Sequence, residues 1–322
     1  MTLPTAAIIG TGVIGAGWAA RYLANGYRVK AWDPGENARE KLELSIKNAW
    51  PSLEKLGLKD GARIDNLEFY DSLKEACDDA DIIQESAPEV VELKCSLLAQ
   101  IGECAPTDAI IGSSTSGFKP SLLQENVPLP ERVIVTHPFN PVYLLPLVEV
   151  VGGKQTAAET IQKAQAIYKG LGMHPLHVRK EIDGHLSDRL LEALWRENLH
   201  LVNDGIATTG ELDDAITYGP GLRWALMGTN LTYHLAGGDT GMRHMLKQFG
   251  PALKLPWTKL EAPDLTNTLI DRMVEGTQEQ AANRSVKELE QLRDNCLVSI
   301  MEALAQYEVG AGKVLSDFRK TL

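Results

Sequence analysis

The sequence predicts an α/β domain with a doubly wound parallel sheet, followed by an all-helical C-terminal domain. Up to about residue 184, short apolar runs alternate with amphipathic helical stretches, and beyond it helical periodicity continues with almost no strand signal. The length of 322 residues also exceeds what one hydrophobic core usually serves. We therefore expect one domain over residues 1–184 and a second over residues 185–322.

The predicted strands are short and almost wholly apolar, as expected where helices cover both faces of a sheet. They are 5–9, 28–33, 81–84, 108–113, 132–137 and 147–151, with a last candidate at 174–180. Helical periodicity predicts helices over 13–25, 89–104 and 156–171, and over most of 275–307. A broad apolar face at helical spacing opens the second domain, formed by Leu186, Leu190, Leu191, Leu194, Trp195 and Leu199.

Composition and charge exclude several classes of protein. Acidic residues outnumber basic ones by 43 to 32, which gives a formal net charge of -11, and a field of that sign repels nucleic-acid phosphates. No apolar run approaches the roughly 20 residues of a membrane-spanning helix, and the N-terminus lacks the basic region of a signal peptide. The four cysteines show no CxxC spacing, which favours reduced thiols in a cytoplasmic protein.

The first predicted strand is followed by a glycine-rich motif that opens the first predicted helix, Gly10-Thr11-Gly12-Val13-Ile14-Gly15. In that context the motif matches the fingerprint of a Rossmann-type dinucleotide-binding fold. Gly10 permits a tight turn, Gly12 lets the backbone approach a pyrophosphate, and Gly15 allows close packing of helix and strand. The N-terminus of the helix supplies N–H groups for phosphates. The alternative is a glycine-rich turn that binds no ligand.

Asp33 ends the second predicted strand, 18 residues beyond Gly15. An acid at this distance accepts hydrogen bonds from the adenosine ribose hydroxyls. The same carboxylate repels a 2′-phosphate, and Pro34-Gly35 offers no arginine to neutralise one. The sequence therefore predicts NAD rather than NADP as the cofactor.

Two later strands carry a histidine and a glutamate that suggest proton-transfer chemistry. His137 ends the apolar run 132–137, at the sheet edge where catalytic groups collect in open α/β folds. Glu149 interrupts the apolar run 147–151, where an unpaired carboxylate would be costly. A His–Glu pair resolves that cost, and its imidazole accepts a proton while the carboxylate fixes the tautomer. With the hydroxyl-rich segment 113–117 at the same edge, the pattern favours a dehydrogenase.

The longest specific signal is the run HPFNPVYLLPLVEVVGG at 137–153. On this run, and on Gly-Leu-Arg-Trp at 221–224 and Leu-Ala-Gly-Gly at 235–238, the chain resembles the L-3-hydroxyacyl-CoA dehydrogenase superfamily over nearly its full length. Within it, the branch that acts on L-carnitine is most similar. The resemblance implies NAD-dependent oxidation of the 3-hydroxyl of L-carnitine to 3-dehydrocarnitine. Another 3-hydroxy substrate, such as a 3-hydroxyacyl-CoA or L-gulonate, and a non-catalytic crystallin-like NAD-binding protein are the alternatives.

The resemblance also implies roles for individual residues. Ser116 matches the serine that hydrogen-bonds the substrate oxygen, His137 matches the general base, and Glu149 matches its carboxylate partner. Glu89 and Lys94 match the acidic and basic residues on the cofactor side of the family's site.

One position departs from the acyl-CoA enzymes of this superfamily. Their asparagine on the first helix of the second domain aligns with Asp188, and an ionised aspartate cannot donate a hydrogen bond to a ketone. The departure suits a substrate with a positive charge, although Arg189 is an equal candidate for the partner of Asp188. The helical spacing of Asp188 from Leu191 and Trp195 predicts that it points toward packed surface.

Aromatic side chains are the expected contacts for a quaternary ammonium group, which cannot donate hydrogen bonds. Phe139 and Tyr143 rank first and Trp224 comes next, with Trp195 and Tyr233 as further candidates, and Asn140 is expected at the substrate beside the first two. His174 and His177 have no accompanying ligand cluster, so no metal is predicted.

The expected partners are a small-molecule substrate and a second copy of the chain, with neither nucleic acid nor membrane. The homodimer is predicted because a small helical domain cannot easily bury apolar faces as broad as that of 186–199.

Overall fold

The computed structural model describes residues 3–225, 227–237, 241–259, 266–269, 271 and 282–322. The chain forms two compact units, one of Met1–Asp188 with Lys313–Leu322 and one of Arg189–Gly312. Sequence periodicity places a boundary at residue 184. The structure divides the units after Asp188 and returns the last residues of the chain to the first unit.

The first unit is built on an eight-stranded sheet of order β3-β2-β1-β4-β5-β6-β7-β8. The strands are β1 Thr5–Ile9, β2 Arg28–Trp32, β3 Leu67–Phe69, β4 Ile82–Glu85, β5 Ile110–Ser113, β6 Val133–Pro138, β7 Leu147–Gly152 and β8 His174–Val178. The doubly wound α/β class is confirmed, but a wholly parallel sheet is not, because β7 runs antiparallel to β6. A parallel pair needs a crossover of about a dozen residues or more, and the connection 139–146 is too short.

Helices accompany the strands in the first unit. They are α1 Val13–Ala24, α2 Ala38–Leu56, α3 Leu73–Cys77, α4 Val91–Cys104, α5 Pro120–Leu123 and α6 Ala158–Gly170. Helical periodicity in the sequence predicts α1, α4 and α6 to within a few residues, whereas α2, α3, α5 and β3 are not among the predicted elements. The strand order places the carboxyl ends of β1, β4, β5 and β6 along one edge of the sheet.

The central strands supply two cores, because alternate residues of a strand face opposite sides of the sheet. Ile8 of β1 lies in one core with Trp18 and Tyr168, whereas Ile9 lies in the other with Leu98. All five side chains are wholly buried. Burial of side chains of this size contributes about 1.5–3 kcal/mol each. The apolar runs that predict the strands are therefore also a main source of their stability.

Arg21 of α1 ties this helix to the connection between β6 and β7. Its buried guanidinium donates from Nε to the backbone oxygen of Val142 at 2.7 Å and from Nη2 to that of Leu145 at 3.3 Å. Its Nη1 donates to the backbone oxygen of Leu171 at 3.1 Å. Burial lowers the pKa of Arg21 to about 10, and the carbonyl dipoles replace the water around its charge. The segment after β6 is thereby held against the helix that begins at the glycine motif.

The regular elements described in the second unit are helices. They are α8 Thr209–Thr217, α9 Pro220–Trp224, α10 Thr229–Ala236, α11 Gly241–Phe249 and α12 Val286–Ala305, with α7 Ser187–Asn203 entering the unit and α13 Gly310–Arg319 leaving it. Helix α12 confirms most of the helix predicted over 275–307, while 275–281 lie outside the described residues. Among the helices described, none has the length and apolar character needed to cross a membrane. All four cysteines are free thiols.

Candidate active site

The glycine motif forms the turn between β1 and α1. Gly10 has a φ of 89°, and a Cβ added to it would lie 2.8 Å from the backbone of Ser86. A Cβ on Gly15 would lie 1.9 Å from the backbone oxygen of Gly10, whereas one on Gly12 would meet nothing within 4 Å. The turn therefore has no room for a side chain at Gly10 or Gly15, but there is free space beside Gly12, where α1 begins. This shape fits a pyrophosphate that approaches the helix N-terminus.

Asp33 lies just beyond β2 and is fixed against the same turn. Its Oδ2 accepts hydrogen bonds from the backbone N of Thr11 at 2.7 Å and from the Thr11 hydroxyl at 3.1 Å. Its Oδ1 accepts from the backbone N of Gly35 at 2.7 Å. Carboxylate oxygens accept more than one hydrogen bond, so Asp33 is preorganised by Thr11 and Gly35 and keeps acceptor capacity for a ribose.

His137 and Glu149 are direct partners across the antiparallel pair β6 and β7. Opposite residues of an antiparallel pair project from the same face, and Nδ1 of His137 lies 2.9 Å from Oε2 of Glu149. Both side chains are buried. The structure therefore contains the pair that the buried acid predicted. Its geometry depends on the antiparallel pairing of β6 and β7, which differs from the parallel sheet predicted from the sequence.

The carboxylate of Glu149 is held by further donors. Its Oε1 accepts from the backbone N–H groups of Leu186 and Ser187, each at 3.0 Å. Burial alone raises the pKa of Glu149, but the hydrogen bonds from His137, Ser187 and Leu186 bring it below its ordinary value. Because an ionised carboxylate only accepts, Nδ1 of His137 carries the hydrogen and Nε2 of the neutral ring carries a lone pair. The pair is therefore suited to take a proton at Nε2.

Asp188, in the first turn of α7, lies beside that second ring nitrogen. Its Oδ2 is 3.8 Å from Nε2 of His137, and its side chain is 24% exposed. Its neighbours on the same helical face, Leu191 and Trp195, are 55% and 45% exposed in the single chain. The prediction of a packed face is therefore wrong for these two residues within one chain, because only the start of α7 lies against the end of β6.

The hydroxyl-rich turn after β5 is joined to the site through Glu89. The Thr115 hydroxyl donates to Oε1 of Glu89 at 2.5 Å, and the backbone N of Ser116 donates to the same oxygen at 3.0 Å. Ser116 itself is exposed. Because β5 and β6 are parallel neighbours, this turn and His137 lie along the same edge of the sheet.

Lys94 is buried and faces two carboxylates. Its Nζ donates to Oε1 of Glu85 at 2.9 Å, and Oε2 of Glu89 lies 3.5 Å away. Glu85 is wholly buried at the end of β4 and also accepts from the Ser113 hydroxyl at 2.5 Å. Glu85 is not among the residues predicted from the sequence, although an acid at the end of an apolar strand is the same signal that indicates Glu149. In this arrangement Lys94 fixes Glu85 and Glu89, and with them the turn after β5.

Among the aromatic candidates, Phe139 packs beside His137. Its ring centroid lies 5.0 Å from that of His137. Tyr143 is half-buried and packs against the core of α1, and Asn140 is exposed. The remaining candidates are about half exposed: Trp195 at 45%, Trp224 at 42% and Tyr233 at 49%. In the described part of the chain, no group of three or more His, Cys, Asp or Glu side chains is placed so that it could bind a metal ion.

Comparison with known families identifies the chain. The NAD binding domain of 3-hydroxyacyl-CoA dehydrogenase matches residues 5–182, and the C-terminal domain of the same family matches residues 184–282. The chain belongs to the 3-hydroxyacyl-CoA dehydrogenase family. The cofactor of this dehydrogenase is NAD, as the match to the NAD binding domain confirms.

Relatives within the 3-hydroxyacyl-CoA dehydrogenase family include two of high identity. The L-carnitine dehydrogenase of Pseudomonas putida is 58% identical over 315 residues, which cover 98% of each chain. That of Bacillus cereus is 58% identical over 304 residues, which cover 94% of this chain and 93% of the relative. A solved structure of 5-formyl-3-hydroxy-2-methylpyridine 4-carboxylic acid 5-dehydrogenase, an NAD+ dependent dismutase, superposes with a TM-score of 0.79 at 26% identity. It covers 94% of this chain and 99% of that one.

Two alanine substitutions test whether the opening beside Gly12 receives phosphate. Gly15→Ala should lower the stability of the first unit by about 1–3 kcal/mol, because its methyl group overlaps the backbone of Gly10. Gly12→Ala should leave the melting temperature unchanged and weaken NAD binding about tenfold or more, since its methyl group occupies open space. Calorimetric titration with NAD and thermal unfolding measure the two effects. Wild-type affinity in Gly12→Ala would place the phosphates elsewhere.

Proposed function

We propose that this protein catalyses the NAD-dependent oxidation of the 3-hydroxyl of L-carnitine to 3-dehydrocarnitine. The observation that carries the proposal is the 58% identity, over 98% of both chains, to a relative named L-carnitine dehydrogenase. The dyad of His137 and Glu149 supports it, because oxidation of an alcohol needs a base for the hydroxyl proton. When bound, NAD would supply the nicotinamide ring as the acceptor for the hydride that leaves carbon 3.

The cofactor is held by the glycine motif and Asp33 in this proposal. The backbone beside Gly12 and the N-terminus of α1 take the pyrophosphate, where a Cβ meets nothing within 4 Å. Thr11, Val13 and Ile14 complete the turn. Asp33, fixed by Thr11 and Gly35, accepts from the ribose hydroxyls.

His137 acts as the general base and Glu149 as its partner. Nε2 takes the hydroxyl proton, and the ring becomes an imidazolium whose charge the Glu149 carboxylate stabilises through Nδ1. The backbone donors from Leu186 and Ser187 keep Glu149 ionised, so the proton stays on the ring rather than passing to the carboxylate.

The turn after β5 positions the substrate oxygen in this scheme. The Ser116 hydroxyl donates a hydrogen bond to the oxygen at carbon 3. The backbone of Ser116 is fixed because its N–H donates to the carboxylate of Glu89. Glu89 in turn lies 3.5 Å from Lys94, which the wholly buried Glu85 anchors. Glu89 and Lys94 thus contribute to the cofactor side of the site by fixing the loops around it.

The substrate charge is recognised by Asp188 and by aromatic faces. Asp188 lies beside Nε2 of His137, where a trimethylammonium two carbons from the reacting oxygen is within reach of its carboxylate. Phe139 lies against His137, and a ring face attracts a quaternary ammonium group. Asn140, Tyr143 and Trp224 are further candidates for the substrate pocket.

Two alternatives make different predictions. A dehydrogenase of another 3-hydroxy substrate, such as a 3-hydroxyacyl-CoA or L-gulonate, would turn over that substrate with a larger kcat/KM than L-carnitine. A crystallin-like protein would bind NAD and form no NADH with any of them. Absorbance of NADH with a panel of these substrates separates all three.

Removal of the base gives the first test of the mechanism. His137→Asn should bind NAD with wild-type affinity and lose about 10²- to 10⁴-fold in kcat, because proton transfer alone is removed. The control is His177→Asn, an exposed histidine on β8, which should retain wild-type turnover. Turnover of His137→Asn within about threefold of wild type would exclude His137 as the base.

A charge-deleted substrate tests the role of Asp188. An analogue with tert-butyl in place of trimethylammonium should have a kcat/KM about tenfold or more below that of L-carnitine, since it keeps the shape and loses the charge. In Asp188→Asn the ratio between the two substrates should shrink, because the partner of the charge is gone. Glu192→Gln, a half-exposed acid on the same helix, is the control and should keep the wild-type ratio. Equal values for both substrates in wild type would mean that the site recognises shape alone.

We also infer a cytoplasmic homodimer in which residues 1–184 bind NAD and residues 185–322 serve the substrate and the dimer contact. The dimer is supported by apolar side chains that the chain leaves uncovered on α7. Leu190 is 76% exposed and Leu191 is 55% exposed, and a second copy would remove such a face from water.

Light scattering at micromolar concentration checks this assembly. Wild type should show twice the chain mass of 35.2 kDa, and Leu190→Glu should show the mass of one chain, because it places a charge in the contact. Leu190→Glu should keep the helix content of wild type, since the side chain is 76% exposed in the single chain. A monomeric wild type would refute the inference.

A further inference from the structure

A second histidine lies inside the candidate active site. The ring centroid of His185 is 5.7 Å from that of His137, and the residue is wholly buried. Neither ring nitrogen makes a hydrogen bond within the described part of the chain. The backbone of Thr115 faces the ring without reaching normal hydrogen-bond geometry. Buried polar atoms are nearly always paired, so an unpaired imidazole beside a proton-transfer group requires a reason.

The backbone of His185 is unusual as well. Its φ of 47° places a non-glycine residue in the left-handed region, which costs energy and is concentrated at functional sites. The turn formed there presents the next two N–H groups, those of Leu186 and Ser187, to Oε1 of Glu149. Asp188 follows and lies 3.8 Å from His137. Four consecutive residues, 185–188, therefore contact the dyad.

We propose that His185 is a positioning residue that keeps the dyad assembled only while its imidazole is neutral. A neutral ring is compatible with the closed space beside His137. A protonated ring would be a buried cation without a hydrogen-bond partner, next to a ring that itself becomes cationic in the proposed reaction. Such a ring must leave its space, and its departure withdraws the N–H donors of Leu186 and Ser187 from Glu149. The inference rests on the proposed role of His137 as the base.

The charges around His185 favour its neutral form. Three titratable groups face the ring, His137 on β6, Glu149 on β7 and Asp188 on α7, together with the backbone of Thr115. Burial and then the charge of His137 lower the pKa of His185, and they outweigh the opposite effects of the two carboxylates and the Thr115 backbone. A histidine whose pKa is lower in the folded state takes up a proton on unfolding. Its contribution to stability is therefore complete above about pH 6.5 and is lost as the pH falls through the folded value.

The pH dependence of kcat/KM for L-carnitine tests the proposal. In wild type, log kcat/KM plotted against pH should rise on the acid side with a slope above one that approaches two. The reason is that the active form needs both imidazoles, those of His137 and His185, unprotonated. In His185→Phe the slope on the acid side should fall to one, whatever the value of kcat/KM at pH 8. His185→Asn, which tolerates the left-handed backbone, should give the same slope if the phenylalanine variant does not fold. His177→Phe, which removes an exposed histidine, should keep the wild-type slope. A slope of one in wild type overturns the proposal.

Urea unfolding between pH 8 and pH 5 tests His185 without any substrate. Wild type and His177→Phe should lose more stability on acidification than His185→Phe or His185→Asn, which have no imidazole to protonate at this position. Equal losses in wild type and in the His185 variants contradict the proposal. If wild type fails to oxidise L-carnitine at pH 8, the proposed function is wrong, whereas the unfolding comparison still decides the role of His185.

Discussion

The buried carboxylate of Glu149 is the constraint on which the candidate active site depends. An ion in that position costs several kcal/mol unless donors surround it, and three donors do so, the ring of His137 and the N–H groups of Leu186 and Ser187. The first requires that β7 run antiparallel to β6, so that the histidine and the glutamate are direct cross-strand partners. The other two require a sharp turn before α7. The antiparallel direction of β7 and the turn before α7 are thus both needed to keep the Glu149 carboxylate ionised.

The same sheet edge stabilises its other buried charges by different means. Glu85 is paired with Lys94 and accepts the Ser113 hydroxyl, whereas Arg21 has backbone carbonyls as acceptors. Each arrangement also fixes a loop: the ion pair holds the turns after β4 and β5, and the guanidinium holds the connection after β6. Groups fixed in this way need little reorganisation when charge develops in a reaction. The contacts that stabilise the buried charges at this edge therefore also give the loops the rigidity that catalysis requires.

Features that depend on local patterns were predictable from the sequence, and those that depend on distant chain segments were not. The glycine motif, Asp33 and the acid in the β7 strand each follow from spacing or from the cost of burial over a few residues. The proximity of Asp188 to His137 depends on a left-handed turn at His185, which no residue preference indicates, because glycine rather than histidine is usual there. The return of the C-terminal segment depends on contacts such as that of Arg319 with the backbone oxygen of Leu56, 263 positions apart. Such contacts leave no periodic signal in the sequence.

The two carboxylates on either side of His137 give a physical reason for a substrate that carries a cationic group. Glu149 pairs with the ring through Nδ1, and Asp188 places a second negative charge 3.8 Å from Nε2. In the proposed reaction, a trimethylammonium next to Asp188 would be attracted by that carboxylate, and the attraction would hold the reacting hydroxyl beside Nε2. An analogue with tert-butyl in place of trimethylammonium would keep the shape and lose this attraction in the transition state as well as in the bound state. An acyl-CoA, whose phosphates add negative charge, would gain nothing from Asp188 and would be repelled by it.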